Sequence, residues 1–127
     1  MTCRVMTEVI LSCQEGFMLK QYIMVLVTTA NMAEAETISK TLVFEKLAAC
    51  VNIVDKVRSI YQWEGKIHDE SEHLLLIKST AEHFDTIEKR IKELHSYEVP
   101  EIIALPIEKG SQQYLQWLSE NTHQAKA

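Results

Sequence analysis

From Tyr22 to Thr28 the chain runs Tyr-Ile-Met-Val-Leu-Val-Thr with no charged residue. A continuous apolar run of that length, rich in β-branched residues, predicts a strand buried on both faces. Thr29-Ala30-Asn31 supplies turn and cap chemistry. From Met32 to Lys46 the period changes: Ala35, Ile38 and Leu42 fall on one line, with Glu34 and Glu36 early and Lys46 late, which predicts a helix. Ala48 to Trp63 returns to a period of two. Val51, Ile53, Val57, Tyr61 and Trp63 are expected on one face, and Asn52, Val54, Lys56, Arg58, Ile60 and Gln62 on the other. Asp55-Lys56 interrupts the pattern and predicts a bulge or bend. Glu64-Gly65 is the expected hairpin turn, and Lys66 to Ser79 the returning strand, polar near the turn and apolar at Leu74 to Ile77.

Thr80 is placed to cap a second helix, whose stripe is Phe84, Ile87, Ile91 and Leu94. Pro100 biases Val99 away from helix, and Glu101 to Ile107 is a short strand that Pro106 marks as an edge. Gly110-Ser111 opens a last helix, and the tail after Glu120 is expected to fray. The order β-α-β-β-α-β, with right-handed crossovers, folds into an α+β, ferredoxin-like sandwich with a long central hairpin and a C-terminal helix.

That hairpin carries a prediction of its own. An arm of about 14 residues spans roughly 45 Å. A compact chain of this length has a radius of gyration of roughly 14 Å, hence a diameter of roughly 36 Å. The tip, with Ile60, Tyr61 and Trp63, overshoots its own sheet. Apolar tips and open strand edges want partners, so an oligomer is expected.

Composition narrows the function. The 127 residues carry a formal charge of −5, with a pI near 5.5. That balance is the wrong electrostatic footprint for a nucleic-acid binder. No apolar run approaches the roughly 18 residues needed to span a bilayer, so no membrane partner is expected. Cys3, Cys13 and Cys50 form no Cys-x-x-Cys pair, which argues against a disulfide framework or cysteine zinc site and for a reducing, cytoplasmic setting. Val9-Ile10-Leu11 is too short and too interrupted for a signal peptide. Residues 1–20 read as an extension, 21–121 as the domain and 122–127 as a tail. Codons for Gln14-Glu15-Gly16 can contain a bacterial ribosome-binding sequence, so the natural start is expected at or near Met18.

The fold hosts many chemistries. The stretch Val27 to Asn31 has neither the Cys-x-x-Cys of a copper chaperone nor the arginine-bearing, glycine-rich cradle of an acylphosphatase. Leu74 to Ile77 lacks the aromatics of an RNA-recognition motif. No P-loop, nucleophile elbow or His-Glu-x-x-His occurs.

Five blocks point elsewhere: Glu45-Lys46-Leu47-Ala48-Ala49-Cys50-Val51-Asn52, Ser59-Ile60-Tyr61-Gln62-Trp63-Glu64-Gly65-Lys66, Glu72 to Lys78, His95-Ser96-Tyr97-Glu98-Val99-Pro100-Glu101-Ile102, and Tyr114-Leu115-Gln116-Trp117-Leu118. In order and spacing they resemble the CutA family of divalent-cation tolerance proteins, over roughly Tyr22 to Asn121. The resemblance implies a cytoplasmic homotrimer, similar in architecture to PII signalling proteins. It implies binding of copper or another divalent cation, a part in the response to metal ions, and no established catalysis. Two departures stand out. Thr28 occupies the place of a cysteine, and Leu94-His95-Ser96-Tyr97 that of His-His-Pro-Tyr, so a thiolate and one imidazole are missing from the soft donor set.

His95 is therefore the one expected metal ligand. Its other reading is a helix C-terminal residue favoured by the dipole. Tyr61, Trp63, Lys66, Glu72, Tyr97 and Glu101 are expected to gather in a cleft between subunits, against the alternative that the hairpin tip simply packs on a neighbour. His68, Glu70 and Glu72 read as a solvated strand face, His73 with Asp69 and Ser71 as a second one, His83 as an outer helix position, and Cys50 as a buried, inert thiol. A second function class stays open: a PII-like signalling or scaffold trimer that binds a small metabolite or a protein partner in those clefts.

Overall fold

The computed structural model describes residues 20–123. The extension with its expected start near Met18, the cysteines Cys3 and Cys13, and the end of the tail lie outside the described residues. The elements are β1 (Tyr22–Thr29), α1 (Met32–Phe44), β2 (Cys50–Trp63), β3 (Lys66–Thr80), a 3-10 turn (Ala81–His83), α2 (Phe84–Leu94), β4 (Ile102–Ile107) and α3 (Gln112–Glu120). The strands form one antiparallel sheet in the order β2-β3-β1-β4, the expected ferredoxin-like arrangement.

The core lies on one face of that sheet. Ile23, Val25 and Val27 of β1, and Leu75 and Ile77 of β3, pack against Ala35, Ile38 and Leu42 of α1 and Ile87 and Ile91 of α2. These side chains are the apolar lines of the sequence pattern. Burying each of the Val, Leu and Ile side chains contributes roughly 1.5–3 kcal/mol relative to exposure. Asn31 caps α1, its Oδ1 accepting the Glu34 N–H at 2.8 Å. Helix α1 stops two residues short of Lys46, which turns out of the helix at φ 64°.

The hairpin turn falls where expected, with Glu64 and Gly65 both at positive φ. Among the described residues, strand β4 pairs only with β1, which places Pro106 at an edge.

The bulge has a larger effect than the sequence pattern suggested. Val54 lies opposite Leu74, but Val57 lies opposite Glu72. Three residues of β2 thus advance against two of β3, with Lys56 at φ 65°. One extra residue moves every later side chain of β2 to the other face. Val51 and Ile53 face the core beside Ile77 and Leu75, whereas Ser59, Tyr61 and Trp63 share the opposite face with Glu70, His68 and Lys66. The expectation that Val51, Ile53, Val57, Tyr61 and Trp63 share one face is corrected accordingly.

Three smaller expectations also change. Thr80 caps no helical N–H; its Oγ1 meets Nδ1 of His83 at 2.6 Å, and α2 starts after the 3-10 turn. His83 is buried, not on an outer face. The first residues of the tail are held, with Thr122 buried and the His123 N–H donating to Lys46 O at 2.9 Å.

Deleting Lys56 restores strict alternation and forces Tyr61 and Trp63 toward the core face. Denaturant unfolding of that variant is expected to show a loss of at least about 2 kcal/mol, within the range of severe single changes. Unchanged stability would mean that the bulge does not set the hairpin's facing.

Candidate functional site

On the sheet face away from the helices, a cavity of about 580 Å³ opens beside the hairpin. Tyr61 and Trp63 reach it from β2 because the bulge has turned them there. Glu72 reaches it from β3 and Thr28 from the end of β1. Tyr97, Glu98 and Glu101 come from the connection between α2 and β4.

That connection is tied down at its start. The His95 side chain is fully enclosed, with Nε2 2.7 Å from Thr28 O and Nδ1 3.0 Å from the Tyr97 backbone N. A carbonyl can only accept and an N–H only donate. The ring is therefore the neutral tautomer with its proton on Nε2. Glu34 of α1 accepts from the Ser96 backbone N–H and from Ser96 Oγ. Its Oε2 lies 3.9 Å from His95 Nδ1, too far for a hydrogen bond. His95 thus links β1 to the connection and sets where Tyr97 stands.

Tyr97 donates its phenol proton to Glu72 Oε2 at 2.7 Å, and Tyr61 donates to Glu70 Oε1 at 2.8 Å. Burial, and then the bond to the Glu72 carboxylate, hold the Tyr97 phenol well above the usual tyrosine range. The bond to Glu70 raises Tyr61 in the same direction. Both phenols are therefore donors at neutral pH. Tyr61 also stacks on His68, with centroids 5.1 Å apart. Outside the cavity, Arg58 grips Asp69 through two hydrogen bonds of 2.8 and 2.6 Å, which lowers the Asp69 carboxyl.

Of the six residues expected in a cleft, Tyr61, Trp63, Glu72, Tyr97 and Glu101 line this cavity within a single chain. Lys66 does not; it sits at the hairpin turn opposite Trp63. The sequence pattern does not assign Ser59, Ile60, Glu98 or Val99 to the lining. Their place beside Tyr61 and Tyr97 in the chain is the only available signal. His95 is adjacent to the cavity as a brace, and its one lone pair, on Nδ1, is occupied by the Tyr97 N–H. Among the described residues, no three His, Cys, Asp or Glu side chains form a metal-binding group. Cys50 is half-buried, not fully enclosed.

The profile of the family described as CutA1 divalent ion tolerance protein matches residues 23–121. This chain belongs to the CutA1 family. It is 52% identical over 98 residues to the divalent-cation tolerance protein CutA of Thermus thermophilus, covering 77% of this chain and 95% of that one. It is 45% identical over 100 residues to the chloroplastic protein CutA of Arabidopsis thaliana, covering 79% of this chain and 55% of the longer plant protein. A solved structure of the divalent cation tolerance protein (Cut A1) from Thermus thermophilus superposes with a TM-score of 0.79 at 50% identity, over 80% of this chain and 99% of that one. The CutA1 match runs from the second residue of β1 through α3 and takes in every residue of the cavity. No helix among the described residues is long and apolar enough to cross a membrane.

The tyrosine geometry predicts an alkaline signature. A phenol whose folded value is raised above the ordinary 10.0 gives stability that is complete below about pH 10 and is lost as the pH rises further. Tyr97→Phe is expected to melt lower than wild type at pH 7, because Glu72 loses its donor. Its melting temperature should fall less between pH 9 and pH 11. Parallel slopes in the two proteins would overturn the Tyr97 to Glu72 assignment.

Proposed function

We propose that this chain acts in divalent-cation tolerance as a cytoplasmic homotrimer that binds copper or another divalent cation in the response to metal ions. Family membership supports the metal link. The observation that carries the binding step is the acidic lining of the cavity, where Glu72, Glu98 and Glu101 meet no lysine, arginine or histidine among the described lining residues. Carboxylates are hard oxygen donors, suited to divalent ions in general and less selective for copper than thiolate or imidazole. One chain offers no complete ligand set among its described residues, and three-fold symmetry is the simplest way to bring further donors to the cavity. Exposed Ile60, Trp63 and Ile67 on the hairpin, Ile103 and Leu105 on β4, and Tyr114 and Trp117 on α3 support such an assembly. No catalytic role is assigned.

His95 enters this proposal differently from the sequence expectation. It can bind a metal only by giving up its bond to the Tyr97 N–H or to Thr28 O. His95→Ala is therefore expected to lower stability more than copper affinity. A second reading is supported by the size of the cavity, which lies within the roughly 300–1,000 Å³ of small-molecule sites. In that reading the protein is a PII-like signalling or scaffold trimer whose clefts hold a metabolite or a protein partner.

Two measurements test these readings. Native mass spectrometry is expected to give three chain masses, and Trp63→Ala to weaken the assembly by roughly 2–4 kcal/mol, as truncating a buried aromatic anchor does. A stable monomer would remove the trimer from the proposal. In calorimetric copper titrations, Glu98→Gln/Glu101→Gln is expected to lose at least about tenfold in affinity, since each carboxylate is a charged donor. An unchanged titration would place the metal outside this cavity.

A further inference from the structure

Two kinds of surface meet in the cavity. Trp63, Tyr61 and Tyr97 bring aromatic side chains, and Glu72, Glu98 and Glu101 bring carboxylates. Glu72 is the decisive member. It is only 5% exposed. It accepts a single side-chain hydrogen bond, from Tyr97, and has no ion-pair partner among the described residues. A carboxylate largely withdrawn from bulk water, its free oxygen facing only the cavity, is costly to hold without a countercharge. A neutral phenol offsets only part of that cost. Among the described residues, Glu72 therefore has no countercharge.

The remaining question is which kind of cation suits the space. A metal ion needs several donor atoms within roughly 2.0–2.6 Å of one point. Among the described residues, the carboxylates of one chain do not converge in that way. The cavity, at about 580 Å³, is also far larger than a single ion. Aromatic side chains attract cations through their ring quadrupoles and need no coordination geometry, Trp most strongly. Aromatic walls, a buried carboxylate and ample volume together match an organic cation whose charge is spread over alkyl groups.

We propose that this cavity binds an organic ammonium ion of the methylated or alkylated class, with Glu72 as counterion and Trp63, Tyr61 and Tyr97 as aromatic walls. The proposal rests on the second reading above, that the cavity holds a small molecule, and gives that molecule its chemistry. A neutral molecule of the same shape would leave Glu72 uncompensated and is discriminated against.

The test is a nuclear magnetic resonance titration of the full chain, treated with chelator, following the indole N–H resonances. Trp63→Phe identifies the signal of Trp63 against that of Trp117. Tetramethylammonium chloride is the probe, sodium chloride the ionic-strength control and tert-butanol the neutral counterpart of similar size. Tetramethylammonium is expected to move the Trp63 signal saturably, with tert-butanol at least about tenfold weaker. Removing a cation–π partner costs roughly 3- to 30-fold in affinity, the loss expected for Trp63→Ala, read from ligand line broadening. Glu72→Gln keeps an acceptor for the Tyr97 phenol but removes the charge, and is expected to weaken binding at least about fivefold. Trp63→Phe retains a ring and should bind more tightly than Trp63→Ala, which separates lost recognition from lost folding. Equal response to both probes, no saturable shift, or binding indifferent to Glu72→Gln would each overturn the proposal. Because the protein is metal-free here, copper binding without ammonium binding overturns this proposal alone, and the converse overturns only the metal reading.

Discussion

The one-residue bulge at Val54 to Val57 is the constraint on which the rest depends. A strand has two faces and a period of two, so a single inserted residue is enough to exchange them. Before the bulge, β2 supplies Val51 and Ile53 to the core. After it, the same parity of residue supplies Ser59, Tyr61 and Trp63 to the opposite face. One strand can thereby serve two surfaces, the apolar core under the helices and the cavity on the far side. Holding Lys56 at φ 65° costs about 1 kcal/mol of backbone strain, which core packing offsets. Asp55 is also held at the bend, its Oδ1 2.8 Å from His73 Nε2.

The cavity needs a second fixed wall, and packing alone does not provide one. The connection from His95 to Glu101 has no regular structure before β4, so side-chain bonds position it. His95 spans from Thr28 O to the Tyr97 N–H, and Glu34 holds Ser96 from α1. The bonds to Thr28 O and from Glu34 join elements already fixed by the core to a loop that is not, and the His95 to Tyr97 bond sets the turn within that loop. A buried imidazole with both nitrogens used is well suited to this bracing role, since it satisfies two backbone groups at once. The same commitment makes it a poor free ligand. The incomplete His-His-Pro-Tyr pattern and the occupied ring are thus consistent: this chain uses its remaining histidine to shape the site.

Charge then follows from placement. Burial and then the bond to Glu72 favour the protonated Tyr97 phenol, and the bond to Glu70 favours that of Tyr61, so the phenols act as donors that partly solvate Glu72 and Glu70. Tyr61 and Trp63 have a double role, as walls of the cavity and among the exposed apolar side chains that β4 and α3 also carry. Amphipathic rings suit both settings, with an apolar body and a polar tip.

Much of this was legible in the linear pattern. The strand of Tyr22 to Thr29, the helical stripe of Ile87 and Ile91, the hairpin turn at Glu64-Gly65 and the edge position of Pro106 each follow from local rules of period, cap and backbone freedom, which act over a few residues. The blocks from Glu45 to Leu118 pointed to the family, because their order along the chain is itself information. Facing was different. Asp55-Lys56 announced a bulge, but not whether it held one extra residue, and the orientation of Tyr61 and Trp63 turns on that count. His83 was misplaced because a 3-10 turn delayed α2 and rotated its start. The bracing role of His95 is not legible in the sequence, because its partners, Thr28 O and the Tyr97 N–H, are backbone groups that every residue carries. Local periodicity therefore determined the elements and their order, while the pairing of β2 with β3 and the docking of the His95 connection on β1 decided which side chains meet, since those contacts join residues far apart in the chain.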